Sequence, residues 1–246
     1  MRNFKLLLSY DGSRYKGWQR LGNTDQTIQG KLEAVLEKMT GSSIEVIGSG
    51  RTDAGAHAMG QVANFHANTD MTSDQICQYL RYYLPEDIGV QSVEEVDDRF
   101  HSRFHAVEKT YIYRIRNSDL PCVFERKYVW PVTDQFDLSA MKSACDVFLG
   151  THDFLAFCSN KHFKKSSVRT IHRFTVDRIG EELRFTVTGD GFLYNMVRIM
   201  VGTVLAVGRG ELSANDIPRI MEDKVREKAG ETVPAKGLCL MEVRYE

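Results

Sequence analysis

Neither sign of charge dominates this chain. Its 32 lysines and arginines stand against 33 aspartates and glutamates, a formal net charge of −1. No overall basic excess advertises nucleic acid, so an RNA-binding surface has to come from local clustering. Cysteine is also scarce. Cys77, Cys122, Cys145, Cys158 and Cys239 are odd in number and widely spread, and no C-x-x-C occurs. That argues against a disulfide framework or a structural zinc site and places the chain in a reducing compartment, the cytoplasm. Prolines number only five, which leaves little room for long disordered linkers. Long hydrophobic runs are missing too. The most apolar stretch, 192–207, falls short of the roughly 20 residues needed to span a bilayer and contains Arg198. The first ten residues carry Arg2 and Lys5 with only a short apolar run, and read as a β-strand rather than a signal peptide. G-x-S-x-G and H-E-x-x-H are absent, and no low-complexity segment or short repeat stands out.

What is present is ordinary globular composition, 42% hydrophobic and 26% charged, enough for one large domain or two small ones. Strand patterns cover 4–10, 44–47, 62–66 and 90–96. The spacing of Ile28, Leu32, Val35, Leu36 and Met39 predicts a helix over 27–39. A second helix is predicted over 72–84, with Thr72 as its cap and Gln75 three residues on. In the second half, 110–116 alternates Tyr111, Tyr113 and Ile115 against Thr110, Ile112, Arg114 and Arg116, a period of two. Residues 137–149 form an amphipathic helix that Gly150 ends. Segments 168–179 and 183–188 pair around Gly180-Glu181-Glu182. A buried helix follows over 192–207, a surface helix over 215–224, and a closing strand over 240–245. The class is α+β, helices packed on a largely antiparallel sheet, in two halves: 1–104 and 105–246.

The densest chemical feature is Gly48-Ser49-Gly50-Arg51-Thr52-Asp53-Ala54-Gly55-Ala56-His57. A dinucleotide fingerprint needs glycine where Asp53 stands, and a P-loop needs Lys-Ser/Thr where Ala56-His57 stand. What remains is a turn presenting one carboxylate beside one guanidinium. It is either a solvated Arg–Asp pair or a catalytic carboxylate held by a rigid scaffold. Arg198 bears on the choice. It lies in a segment apolar nearly all round, and a buried guanidinium stripped of its anion costs about 3–5 kcal/mol. Asp53 is a candidate partner; the alternatives are Asp190, just before Gly191, and a guanidinium that snorkels to solvent. Tyr111 either packs in the core or stacks on an extruded base.

Lys161, Lys164, Lys165, Arg169 and Arg173 cluster in 158–173 without an Asp or Glu. Arg14, Lys16 and Arg20 surround Tyr15 and Trp18. Such runs are solvated faces or phosphate-contacting surfaces, and the interleaved aromatics favour the second reading. His101 and His105 have i,i+4 spacing, but 100–105 alternates like an extended segment, which speaks against a metal site.

Taken together, the chain resembles the tRNA pseudouridine synthase A family. The resemblance runs from about Phe4 to Glu246 and rests on seven blocks in order. They are Tyr10-Asp11-Gly12-x-x-Tyr15-x-Gly17-Trp18-Gln19, Gly50-Arg51-Thr52-Asp53-Ala54-Gly55-x-His57, Arg103-Phe104, Lys109-Thr110-Tyr111-x-Tyr113, Gly150-Thr151-His152-Asp153-Phe154, Phe192-Leu193-Tyr194-x-Met196-Val197-Arg198 and Gly237-Leu238-x-Leu240. It implies two α/β halves around a central antiparallel sheet with the active cleft between them, a homodimer, and no metal or organic cofactor. It implies tRNA as substrate, with uridines 38, 39 and 40 of the anticodon stem and loop as targets. By the same resemblance Asp53 is the nucleophile, Arg198 its partner, Tyr111 the residue against the target base, and Arg51 a group that holds that base extruded. Departures at 19–22, at 80–85, where a family asparagine is missing, and at 233–235 bear on which uridines are modified. A paralogue with other targets, a non-catalytic RNA-binding protein on the same fold and an unrelated small-molecule enzyme are the competing readings.

Overall fold

The computed structural model describes residues 1–160 and 164–245. In chain order its elements are β1 (Arg2–Tyr10), α1 (Ile28–Thr40), β2 (Val46–Gly48), β3 (His57–Ala67), α2 (Ser73–Tyr83), β4 (Ile88–Val96) and β5 (Ala106–Asn117). Then come β6 (Trp130–Val132), α3 (Leu138–Val147), β7 (Gly150–Asp153), β8 (Val168–Ile179), β9 (Glu182–Gly189), α4 (Met196–Gly208), α5 (Ile217–Asp223) and β10 (Leu238–Tyr245). The fold is α+β. It divides into two compact units, Met1–Val107 with Cys239–Glu246, and Glu108–Leu238. Chain order alone put 105–246 in the second half; β10 belongs with the first unit because it pairs parallel with β3, Cys239 against His57 and Leu240 against Ala58.

In the first unit the strand order is β4-β1-β3-β10, with β2 on β3. The β1 pairings with β3 and β4 are antiparallel. Phe4, Leu6, Leu8 and Tyr10 alternate onto one buried face of β1. The cap read from the sequence is in place: Thr72 with Gln75 forms the reciprocal capping box of α2. Thr27 likewise accepts from the Gly30 amide to start α1. β3 begins five residues earlier than its apolar pattern suggests. It is buried along almost its whole length, so its other side is covered as well. There Asn3 and Asn64, both buried, bond each other and reach the carbonyl of Phe100. Residues 100–105 form a turn rather than an extended segment, closed by the His105 amide on the His101 carbonyl at 3.1 Å.

In the second unit the order is β5-β9-β8-β7, antiparallel throughout, with the short β6 parallel to β5. Gly180, at φ +60, allows the tight β8–β9 turn, a conformation costly for a residue with a Cβ. The surface helix expected over 215–224 is one 3-10 turn, Ala214–Asp216, followed by α5 with Pro218 in its first turn. The apolar helix is shorter than its composition implies. Residues 192–195 lie outside α4, because Asn195 takes a left-handed φ of 62° just before it. From Met196 onward nearly every position is buried.

Backbone packs directly on α4. A Cβ on Gly202 would sit 2.0 Å from the Glu231 carbonyl oxygen, and one on Gly230 would sit 2.4 Å from the Thr203 nitrogen. Alanine in a helix interior normally gains about 1 kcal/mol over glycine. Here the sign reverses: forcing the backbones apart costs about 1–3 kcal/mol. Gly202→Ala is therefore expected to lower the urea midpoint, while Gly22→Ala, at a position with no atom within 4 Å of the added carbon, leaves it unchanged. A stabilised Gly202→Ala variant would contradict this packing.

Candidate active site

In the first unit, the segment linking β2 to β3 carries Arg51, Thr52 and Asp53. Its placement is not left to the turn itself. The Ser49 amide donates to the Val62 carbonyl at 2.7 Å, and the Trp18 amide donates to the Thr52 carbonyl at 3.1 Å. The Gly55 amide reaches the Tyr15 carbonyl at 3.3 Å, and the Ala56 amide closes a turn on the Asp53 carbonyl at 3.1 Å. Three glycines let residues 12–18 approach this closely. A Cβ would lie 1.8 Å from the Ala56 oxygen at Gly12, 2.7 Å from the Thr52 oxygen at Gly17, and 2.5 Å from the Trp18 ring at Gly48. Asp87 fixes that segment from behind, taking hydrogen bonds from Tyr15 Oη and the Arg14 guanidinium, both at 2.6 Å.

Side chains complete the clamp. Gln61, fully buried, accepts from Ser49 Oγ at 2.7 Å and donates to the Gly50 carbonyl at 3.1 Å and to Tyr10 Oη at 3.4 Å. Tyr10 Oη shares a 2.8 Å hydrogen bond with Thr52 Oγ1. Burial pushes the Tyr10 phenol well above its ordinary range, against the opposing effect of the Thr52 and Gln61 hydrogen bonds. It therefore serves this network as a neutral hydroxyl. Polar atoms on both sides of Arg51 are thus held from below. Arg51 itself is exposed, Thr52 buried and Asp53 half-buried, so the carboxylate projects from an immobilised backbone. Neither Tyr10 nor Gln61 stands out in the sequence as a site residue. Tyr10 was visible only as part of a block of resemblance, and Gln61 carries no motif signal.

In the second unit, Tyr111 lies on the buried face of β5 with Tyr113 and Ile115, opposite Val187 of β9. Its ring meets Phe192 edge to face at 5.2 Å and is almost covered. Arg198, in the first turn of α4, is half-buried. Its Nε donates to the Val233 carbonyl at 2.6 Å and its Nη1 to Asn195 Oδ1 at 2.9 Å. Both acceptors are neutral, so they orient the guanidinium without cancelling its charge. Tyr113 Oη anchors the neighbouring Pro234 carbonyl at 2.7 Å. Asp190 caps a turn, accepting from the Thr170 amide at 3.0 Å.

The basic residues divide. Lys161 lies outside the described residues. Lys164 and Lys165 are exposed, and Arg169 folds back onto the carbonyls of Ser166 and Val168. Beside them Asp153 holds Ser167 Oγ at 2.5 Å and Lys224 Nζ at 2.7 Å. Burial opposes ionisation of Asp153, but these partners prevail and hold its carboxyl below the usual range. The N-terminal cluster is not the surface its composition suggests. Arg14 is paired with Asp87 and Arg20 with Glu33, while Tyr15 and Trp18 are buried. Among the described residues there is no group of three or more His, Cys, Asp and Glu side chains that could hold a metal ion.

Largely antiparallel strands with helices packed on them in each unit, and a glycine-flanked acid on a clamped loop, define an α+β enzyme scaffold rather than a nucleotide-binding one. A family model described as tRNA pseudouridine synthase matches residues 7–105 and 144–246. A tRNA pseudouridine synthase A from Bacillus sp. (strain KSM-64) is 49% identical over 245 residues, covering 100% of both chains. A tRNA pseudouridine synthase A 2 of Bacillus cereus is 46% identical and a tRNA pseudouridine synthase A of Acetivibrio thermocellus 45%, again over 100% of both chains. A chain of a solved Cbf5-Nop10-Gar1 complex aligns at a TM-score of 0.35 and 12% identity, over 82% of this chain and 45% of that one, a likeness too distant to carry weight. This chain belongs to the tRNA pseudouridine synthase family.

The clamp makes a measurable statement about the loop. Tyr10→Phe removes the hydrogen bond to Thr52 and is expected to cost about 1 kcal/mol. Gln61→Leu strands the Gly50 oxygen in a part-buried site and takes one of its partners from Ser49 Oγ, and is expected to cost about 2–3 kcal/mol. Urea denaturation of the two variants checks the order; equal or negligible losses would mean the loop is held by its backbone alone.

Proposed function

We propose that this chain isomerises uridines 38, 39 and 40 in the anticodon stem and loop of tRNA, with Asp53 as the attacking carboxylate. The observation that carries this reading is the half-exposed Asp53 on a loop tied down from both sides. A group that must meet a reacting carbon within a few tenths of an ångström gains from such fixation, since positioning supplies much of the rate. Arg198 is its partner: a guanidinium near the acid keeps it ionised and oriented. The hydrogen bonds from Arg198 to Val233 and Asn195 support that role by holding the guanidinium in one orientation. Tyr111 lies against the target base, and Arg51, exposed two residues before the acid, holds the base out of its helix. Lys161, Lys164, Lys165 and Arg169 take the phosphates.

The isomerisation needs no net oxidation or hydrolysis. The glycosidic C–N bond breaks, uracil turns, and a C–C bond forms to C5; C5 loses its proton and N1 gains one. Extruding a stacked base costs a few kcal/mol, which binding has to supply. A carboxylate serves attack at the sugar C1′, attack at uracil C6 and a glycal route alike. The enzyme works in the cytoplasm as a homodimer.

Tritium release from tRNA carrying 5-tritiated uridine tests the assignment. Asp53→Asn and Asp53→Ala are expected to lower the rate roughly a thousandfold or more while still binding tRNA. Release at the wild-type rate would remove Asp53 from the chemistry and leave an RNA-binding protein. Arg198→Ala is expected to lose both activity and stability, because the Val233 carbonyl and Asn195 side chain lose their donor. Mapping modified uridines in tRNA from cells lacking the chain would settle the target positions.

A further inference from the structure

The turn after β4, residues 97–105, reaches the strand that leads into the Asp53 loop through the Ser102 hydroxyl on the Ile47 carbonyl, and it is one of the most firmly tied segments of the first unit. Ser102 is completely buried. Its amide donates to Asn64 Oδ1 at 2.9 Å, its hydroxyl to the Ile47 carbonyl at 2.5 Å, and its carbonyl accepts from Tyr245 Oη at 2.6 Å. The Phe100 carbonyl takes Asn3 Nδ2 at 2.9 Å, and the Phe100 ring packs on Tyr245 at 5.2 Å. His101 Nδ1 accepts from the amides of Arg103 and Phe104 at 3.2 and 3.3 Å, which fixes the imidazole plane.

On this base stands an aromatic side chain left in solvent. Phe104 is 75% exposed, with its ring 4.1 Å from that of His101 and inclined by 31°. Arg99 and Arg103 are exposed on either side, and among the described residues neither guanidinium makes a hydrogen bond or ion pair. Burial, with lesser effects from His105 and Arg103, pushes His101 below its ordinary range, so its ring is neutral at physiological pH. Acids are present as well. Asp97 receives the Arg99 amide at 2.9 Å, and Asp98 lies 3.4 Å from His66. A single exposed phenylalanine is unremarkable. An exposed one laid on a locked imidazole, between two guanidinium groups without partners, has the composition of a base-stacking site: a π-face for the base and cations for its flanking phosphates.

We propose that the His101–Phe104 pair, flanked by Arg99 and Arg103, is a stacking platform for an unpaired nucleotide of the tRNA substrate. This rests on tRNA being what the chain acts on, but not on Asp53 being the nucleophile. The platform grips the RNA through one unstacked base and the phosphates on either side, and so adds affinity without reading sequence.

The test is equilibrium binding of an unmodified tRNA transcript, which needs no turnover, beside the tritium-release assay. Phe104→Ala is expected to weaken binding about tenfold to a hundredfold, with the loss in turnover falling on KM rather than kcat. Phe104→Tyr is expected to restore both; Phe104→Leu is not. The double variant Arg99→Gln/Arg103→Gln should flatten the slope of log affinity against log salt by about 1.4–1.8. Wild-type affinity in Phe104→Ala, or full rescue by leucine, would overturn the proposal. So would a change of sedimenting mass in Phe104→Ala with tRNA affinity intact, which would make this face a contact between copies of the chain. Failure of the Asp53 reading is seen separately, as tritium release by Asp53→Asn with the binding results standing.

Discussion

The buried amide of Gln61 is the constraint on which the candidate site depends. It is the side chain that spans both flanks of the acidic turn, taking a proton from Ser49, giving one to the Gly50 carbonyl and one to Tyr10, which in turn holds Thr52. A charged residue could satisfy either the donors or the acceptors here, not both. It would also place a fixed charge beneath Asp53. A carboxamide satisfies both and is neutral, so the network that holds the loop adds no fixed charge to it. An unsatisfied buried partner costs about 1–3 kcal/mol, comparable to what fixing a residue of backbone costs in entropy. The network is therefore strong enough to hold the loop only when complete.

The same device recurs at the other elements singled out above. Asn64 and Asn3 join the 97–105 turn to the strands beneath it, and Asn195 holds Arg198 while its own Nδ2 reaches Ser159 Oγ at 3.0 Å. In each case a neutral amide inside fixes a backbone that offers a charged or aromatic group outside. This suits an enzyme whose substrate is a polyanion. Charges used for structure would have to be paired, and paired charges attract no phosphate.

Much of this was legible in the residues. Thr72 starts α2 for the reason its hydroxyl predicts, and the strands read at 4–10 and, from a period of two, at 110–116 lie within β1 and β5. The losses have physical causes. Residues 192–195 read as helix because they are apolar, but burial does not dictate helicity, and one left-handed asparagine delays α4 to Met196. Alternation of Phe100, Ser102 and Phe104 imitates a strand, yet Ser102 is buried for its three hydrogen bonds and not for its side of a sheet. Arg14 and Arg20 looked like phosphate ligands because their partners are distant or unremarkable in sequence: Asp87 is 73 positions from Arg14, and Glu33 sits on the far side of a helix start from Arg20. Gln61 had no local signature, since its worth lies in atoms supplied by two other segments, the end of β1 and the residues after β2.

A net charge of −1 at first sits poorly with tRNA as substrate, and the pairing pattern removes the difficulty. Many basic groups are spent on structure: Arg2 on Glu95, Arg14 on Asp87, Arg20 on Glu33, Arg114 on Glu182 and Arg209 on Glu211. An ion pair contributes little to the potential beyond about a Debye length, roughly 8 Å at physiological salt. What RNA meets is the remainder, and among the described residues Arg51, Arg99, Arg103, Lys164 and Lys165 are exposed and unpaired. The total therefore says almost nothing about the partner. The attraction resides in the cations the fold leaves without a carboxylate, among them those at the acidic loop, on the 97–105 turn and in the segment before β8.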